Sequence, residues 1–149
     1  MSLRDWERKN WVEKHKTSPQ EIEELLRIAD RDLADCQTKD LSEDWRLNIA
    51  YNAALQSAKA ALAAAGYRAS REAQHFRIIQ SLAFTLALQD SIIDKLDQFR
   101  KKRNISDYER AGLVSESEVK EAISIAHQLR KQTEKWIRSN HSHLLPRKI

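Results

Sequence analysis

Apolar side chains recur at spacings of three and four residues along most of the chain, which is the period of an amphipathic helix. The clearest such stripe runs from Ile22 to Cys36 and follows the segment SPQE at residues 18–21. That segment is typical of a helix start, with Ser18 as the N-cap, proline at the first helical position and Glu21 reaching back to the cap amide. We therefore predict a helix that begins at Ser18 and ends after Cys36.

The same period predicts four further helices, at residues 42–65, 70–87, 90–103 and 115–139. Asp40 or Ser42 can cap the first of them, and Gly66 ends it. The segment SESE at residues 115–118 is a second capping box and starts the last helix. Near the chain start, Leu3 and Trp6 predict one short additional helix.

Neither strand-like alternation nor an internal repeat nor a linker interrupts this pattern, and the short connections favour antiparallel neighbours. We predict an all-α protein, an up-and-down antiparallel bundle of four to five main helices plus the short N-terminal helix. Three parts are expected: an N-terminal helical segment at residues 1–17 that packs on the bundle, the bundle itself at residues 18–139, and a flexible tail at residues 140–149.

Composition narrows the class of protein further. A chain of 149 residues is the usual length of one domain, and its single cysteine excludes an internal disulfide or a multi-cysteine zinc site. The first residues are charged where a signal peptide would be apolar, and no long apolar run follows, so we expect a cytoplasmic protein without membrane association. The net charge of +4 permits a polyanionic partner without requiring one.

The candidate chemistry centres on Arg103, which continues the apolar row of the fourth helix four positions beyond Phe99. A buried guanidinium without a partner would cost roughly several kcal/mol, so Arg103 needs an acceptor. Asp107 lies one helical turn further on, and Asn104 and Tyr108 form a second pair four positions apart. These four residues are the candidate catalytic group; alternatively, they form a structural ion pair between helices.

Three stretches of the chain carry a family resemblance: the alanine-rich run at residues 51–60, the segment 75–82, and the run FRKKRNISDY at residues 99–108. In these stretches the chain resembles the HEPN superfamily, small helical-bundle domains that recur in toxin–antitoxin systems and beside minimal nucleotidyltransferases. The resemblance implies a homodimer with a shared cleft. It also implies an antitoxin or nucleotidyltransferase partner, and RNA or a nucleotide as ligand.

Catalytic members of that superfamily carry an arginine, usually followed by a polar residue, and a histidine after four to six intervening positions. Arg103 and Asn104 match the first half, but Tyr, Glu and Arg occupy positions 108–110, where the histidine would stand. Metal-free RNA cleavage needs a group that moves protons near neutral pH, and a tyrosine with a pKa of about 10 does so poorly. The resemblance instead implies a basic phosphate-binding or RNA-binding cleft formed by Arg100, Lys101, Lys102 and Arg103.

Other site classes are weakly supported. Glu72 and His75 have the ExxH spacing of di-iron bundles, but no second copy occurs, and no glycine-rich phosphate loop exists. We therefore expect neither a metal nor a cofactor. His75 lies on the predicted inner stripe and is expected to be a core histidine, and the aromatic rings expected in the core are Trp45, Trp136 and Phe76.

Three hypotheses on function follow. The first is a non-catalytic or weakly catalytic HEPN-like protein that associates with RNA or a nucleotide, within a toxin–antitoxin or nucleotidyltransferase-linked system. The second is a metal-independent endoribonuclease toxin that works without the usual histidine. The third is a structural or protein-interaction bundle in which Arg103 only secures the fold.

Overall fold

The computed structural model describes residues 1–105 and 114–146, with the side chains at positions 104 and 105 left outside that description. Its elements, in chain order, are α1 (Leu3–Arg8), β1 (Val12–Lys14), α2 (Pro19–Asp35), α3 (Glu43–Ala64), β2 (Tyr67–Ala69), α4 (Gln74–Gln80), α5 (Leu82–Thr85), α6 (Asp90–Ile105), α7 (Glu116–Asn140) and a 3-10 helix, η1 (Ser142–Leu144). The protein is mainly α-helical, as predicted.

Helix α3 is the centre of the bundle and packs on both α2 and α7. Its buried face consists largely of alanines, whose short side chains let neighbouring helices approach closely. The main core joins α3 to α6 and α7 and includes the fully buried rings of Tyr51 and Phe99. A second, smaller core lies where α2 meets the ends of α3 and α7.

The predicted helix caps are present. Side-chain oxygens of Ser18, Ser42 and Ser115 accept hydrogen bonds from backbone amides in the first turns of α2, α3 and α7. Gly66 follows α3 with a φ of +95°, a conformation that residues with a side chain rarely adopt. One detail differs, because the carboxylate of Glu21 binds side chains ahead of α2 and not the amide of Ser18.

Two short strands were not predicted. β1 pairs antiparallel with β2, with Val12 opposite Ala69 and Lys14 opposite Tyr67. The prediction of an all-helical N-terminal segment at residues 1–17 is thus wrong beyond Arg8. Strands of three residues are too short to show the alternation by which a strand is recognised in a sequence.

The predicted third helix, residues 70–87, is also different in the structure. It is replaced by the two short helices α4 and α5, which meet at Ser81. Ala73, just before α4, has a φ of +53°, a left-handed conformation that separates the preceding turn from the helix. α4 therefore begins four residues later than the apolar pattern predicted.

The C-terminal segment is folded up to the last described residue, in contrast to the flexible tail predicted for residues 140–149. Leu144 is buried in the second core, and a guanidinium N–H of Arg138 donates to the carbonyl of Pro146 at 2.9 Å. Within residues 1–105 and 114–146, no helix is long and apolar enough to cross a membrane.

Candidate functional site

Arg103 lies near the end of α6, partly buried, with its guanidinium carbon 5.5 Å from the ring centroid of Tyr51. The hydroxyl of Tyr51 is buried and has no hydrogen-bond partner among the described residues. Burial raises the pKa of Tyr51 to about 12, against the opposing effect of the Arg103 charge. Tyr51 therefore stays neutral, and its ring face supports the cation.

The basic residues Arg100, Lys101 and Lys102 of α6 have carboxylate partners. Arg100 Nε donates to Oδ1 of Asp97 at 2.7 Å, and Nζ of Lys101 lies 3.4 Å from Oδ2 of the same carboxylate. Lys102 forms an ion pair with Glu118 of α7. The predicted basic run is thus partly neutralised, and Asp97 holds two of its charges.

The remaining members of the predicted catalytic group cannot be placed. The side chain of Asn104, and the whole of Asp107 and Tyr108, lie outside the described residues. The predicted contacts of Arg103 with Asp107 and of Asn104 with Tyr108 therefore stay predictions.

His75 is exposed on the first turn of α4, so the prediction of a core histidine is wrong. Its pKa lies below the usual value, chiefly because of partial desolvation and then because of the nearby charges of Arg103, Arg100 and Lys59. The next residue, Phe76, has its ring 5.5 Å from the Arg100 guanidinium. An imidazole thus lies on α4, which packs against α6, near enough to Arg103 to feel its charge, although positions 108–110 after that arginine hold no histidine.

A second group of cations lies on aromatic rings. The guanidinium carbon of Arg77 is 3.7 Å from the ring centroid of Trp11 and 5.3 Å from that of Phe76. Nζ of Lys9 is 4.6 Å from the centroid of Trp11. We call Lys9, Trp11, Arg77, Phe76 and Arg100 the cation–aromatic ladder. It joins the N-terminal segment to α4 and α6, and no local sequence pattern pairs residues so distant in the chain.

The other aromatic predictions have mixed outcomes. Trp45 was expected in the core, but it is 62% exposed at the start of α3. Trp136 is half-buried against the second core and packs edge-on to His141, with ring centroids 5.1 Å apart. Phe76 is half-buried and belongs to the ladder.

No group of three or more metal-ligating side chains occurs among the described residues. The cations of α6 and the exposed imidazole of His75 suit an anion better than an apolar molecule.

A search of curated proteins found no sequence similar to this chain. The family model described as "HEPN domain" matches residues 22–136, which is well over half of the chain and includes most of α2, all of α3 to α6 and most of α7. The chain therefore belongs to the HEPN domain family.

Proposed function

We propose that this protein binds RNA, or a nucleotide, on the face where α3, α4 and α6 meet, without efficient cleavage. The observation that carries the proposal is the mutual packing of α3, α4 and α6, which places Arg103 over Tyr51 and Arg100 over Phe76, the residue next to His75. The charges of Arg103, Arg100 and Lys59 all lower the pKa of the His75 imidazole. An electropositive surface of this kind attracts phosphate, and phosphate contacts supply most of the non-specific affinity for nucleic acid. Membership of the HEPN family supports the same ligand class.

The assembly that fits this proposal is a homodimer with two copies of Arg103 in a shared cleft. We also propose an antitoxin or nucleotidyltransferase partner, which would place the protein in a two-component system, and a cytoplasmic location. A light-scattering mass of one chain at the concentrations used for binding would exclude the shared cleft and leave a single-chain surface.

The test compares wild-type protein with Arg103→Ala on a labelled pool of mixed RNA in EDTA, scored for binding and cleavage over a range of salt concentrations. We expect binding without cleavage, weakened about tenfold by the substitution, with the slope of log K against log salt reduced by about 0.7 for each lost phosphate contact. Lys131→Ala, on the exposed side of α7, is the control. Equal binding by wild-type and Arg103→Ala protein, or binding independent of salt, would overturn the proposal.

A second candidate function, a metal-independent endoribonuclease, is favoured by the position and lowered pKa of His75. In this mechanism the neutral imidazole accepts the proton of a ribose 2′-hydroxyl, whose oxygen attacks the adjacent phosphorus. The P–O5′ bond breaks, the 5′-oxygen takes up a proton from water, and the imidazolium returns its own proton to the hydroxide that is left. Arg103 stabilises the phosphorane charge. His75 would thus supply the group missing from positions 108–110.

EDTA-resistant cleavage distinguishes the two candidates. Cleavage by the wild-type protein that is lost in both His75→Ala and Arg103→Ala, but kept in Lys131→Ala, would establish the nuclease. The wild-type protein could also neither bind nor cleave RNA. If Arg103→Ala then has a lower melting temperature than the wild type, the arginine has a structural role.

A further inference from the structure

A cavity of about 250 Å³ lies between the β1–β2 pair, α2, α3 and α4. Its floor is apolar and includes Leu25, Leu62 and Ile78, which are buried or nearly so. Buried apolar side chains of this kind release water readily to a flat apolar group.

The rim of the cavity is polar and organised. Nε2 of His15 lies 2.8 Å from Oε1 of Glu21, and the hydroxyl of Thr17 donates to the same oxygen at 2.6 Å. Partial burial alone would raise the pKa of Glu21, but the hydrogen bonds of Thr17 and His15, with the Lys59 charge, lower it overall. The cavity therefore presents a fixed carboxylate, with a second carboxylate oxygen that no contact within the described residues occupies.

Two more residues of the rim connect this cavity with the face where α3, α4 and α6 meet, which we call the Arg103 face. Lys59 lines the cavity, has no ion pair among the described residues, and is close enough to His75 to lower the pKa of its imidazole. Gln74 also lines the cavity, and His75 is the next residue. The cavity and the proposed RNA-binding face thus adjoin each other across the first turn of α4.

We propose that this cavity is a subsite for the heteroaromatic base of a nucleotide, with Lys59 beside the attached phosphate. The inference rests on the proposed function, since it assigns the base next to the phosphates on the Arg103 face. The edge of a base offers both donors and acceptors, which the Glu21 carboxylate and the Gln74 amide can match. The volume is slightly below that of sites for drug-sized ligands, roughly 300–1,000 Å³, and so fits one base.

The first arm of the test measures the binding of short single-stranded RNAs and of matched strands in which the bases are replaced by abasic residues. We expect the wild-type protein to favour the base-bearing strand about tenfold, as for one stacked base. Glu21→Gln should reduce this ratio at least threefold and leave affinity for the abasic strand unchanged. Glu24→Gln, an exposed carboxylate on the same helix, should behave as wild type. If Glu21→Gln leaves the ratio of the affinities for base-bearing and abasic strands unchanged, the proposed subsite is wrong.

The second arm uses the four free nucleoside monophosphates, followed by NMR of the backbone amides. We expect saturable shifts at Gln74 and Glu21 at millimolar ligand, weakened by Lys59→Ala and retained in Lys131→Ala. Absence of shifts around the cavity would overturn the subsite even if RNA binds. Shifts around the cavity in a protein that fails to bind RNA would preserve the subsite and overturn the function proposed for the Arg103 face.

Discussion

Three cations of α6, Arg100, Lys101 and Lys102, are held differently from Arg77, which lies beside Trp11. Arg100, Lys101 and Lys102 have carboxylate partners, whereas Arg77 lies on aromatic rings and has no ion pair among the described residues. A carboxylate cancels most of the field of a cation, while an aromatic ring orients the cation and leaves its charge in place. The number of basic residues in the sequence of α6 is therefore larger than the net positive charge that α6 can offer to a phosphate.

The largest expected effect is on stability. Trp11→Ala removes the ring that contacts both Arg77 and Lys9 and packs edge-on to Trp6, so we expect a loss of about 2–4 kcal/mol in the free energy of unfolding. Trp45→Ala is the matched control, and because Trp45 is exposed it should cost less than about 0.5 kcal/mol. Urea unfolding measures both, and equal losses would show that the ladder contributes nothing beyond ordinary tryptophan packing.

The next effect concerns the neutralised charges. Asp97→Asn frees Arg100 and Lys101, so RNA affinity at low salt should increase about threefold to tenfold, with a salt slope steeper by about 0.7 for each cation that reaches a phosphate. Asp94→Asn, on the exposed side of the same helix, removes the same charge and is the control, since Asp94 has no ion pair within residues 1–105 and 114–146. If both substitutions increase the affinity for RNA equally, net charge alone explains the increase, and the ion pairs of Asp97 do not contribute to it.

A smaller effect is expected for the pair between α6 and α7. The hydrogen bond of Lys102 is the main cause of the lowered pKa of Glu118, so this carboxylate stabilises the folded state above its unfolded pKa, near 4.5. That stabilisation is lost as the pH falls through the lower, folded pKa. Because both side chains are about one-third exposed, Lys102→Met should cost at most about 1 kcal/mol near neutral pH.

Urea unfolding over a range of pH checks this prediction. The difference between wild-type and Lys102→Met protein should narrow at acid pH, once Glu118 is protonated in both. Lys120→Met breaks a more exposed ion pair with Glu116 and should show a smaller difference. A difference that is constant with pH would assign the cost to packing of the lysine chain.

The smallest effect is a shift in one titration. Removing the Arg103 charge favours the imidazolium, so Arg103→Ala should raise the pKa of His75 toward its ordinary value. NMR titration of the imidazole protons measures this shift directly, and Lys131→Ala should cause none. An unmoved His75 titration would place Arg103 too far away to act with it on one phosphate.

The sequence predicted the long helices well because each buries a continuous stripe, which fixes the helical period over several turns. The strands, the ladder and the cavity arise from contacts between distant segments, for which no local pattern exists. His75 was misplaced for a related reason. An apolar period continued through the turn before α4, whereas the left-handed residue Ala73 delays the helix start and leaves His75 exposed on its first turn. The ion pair of Arg100 with Asp97 could have been predicted, because residues three positions apart are neighbours on the surface of a helix.

The pairing of β1 with β2 also affects how this domain can be shortened. The family match begins at Ile22, but β2 finds its partner strand at Val12–Lys14, and the second core contains Leu144, beyond the end of the match at Trp136. A chain trimmed to the matched region would lose both β1, the strand that pairs with β2, and the leucine that packs in the second core against α2, α3 and α7. For this protein, the boundaries for expression therefore follow the packing and lie outside the region of family similarity.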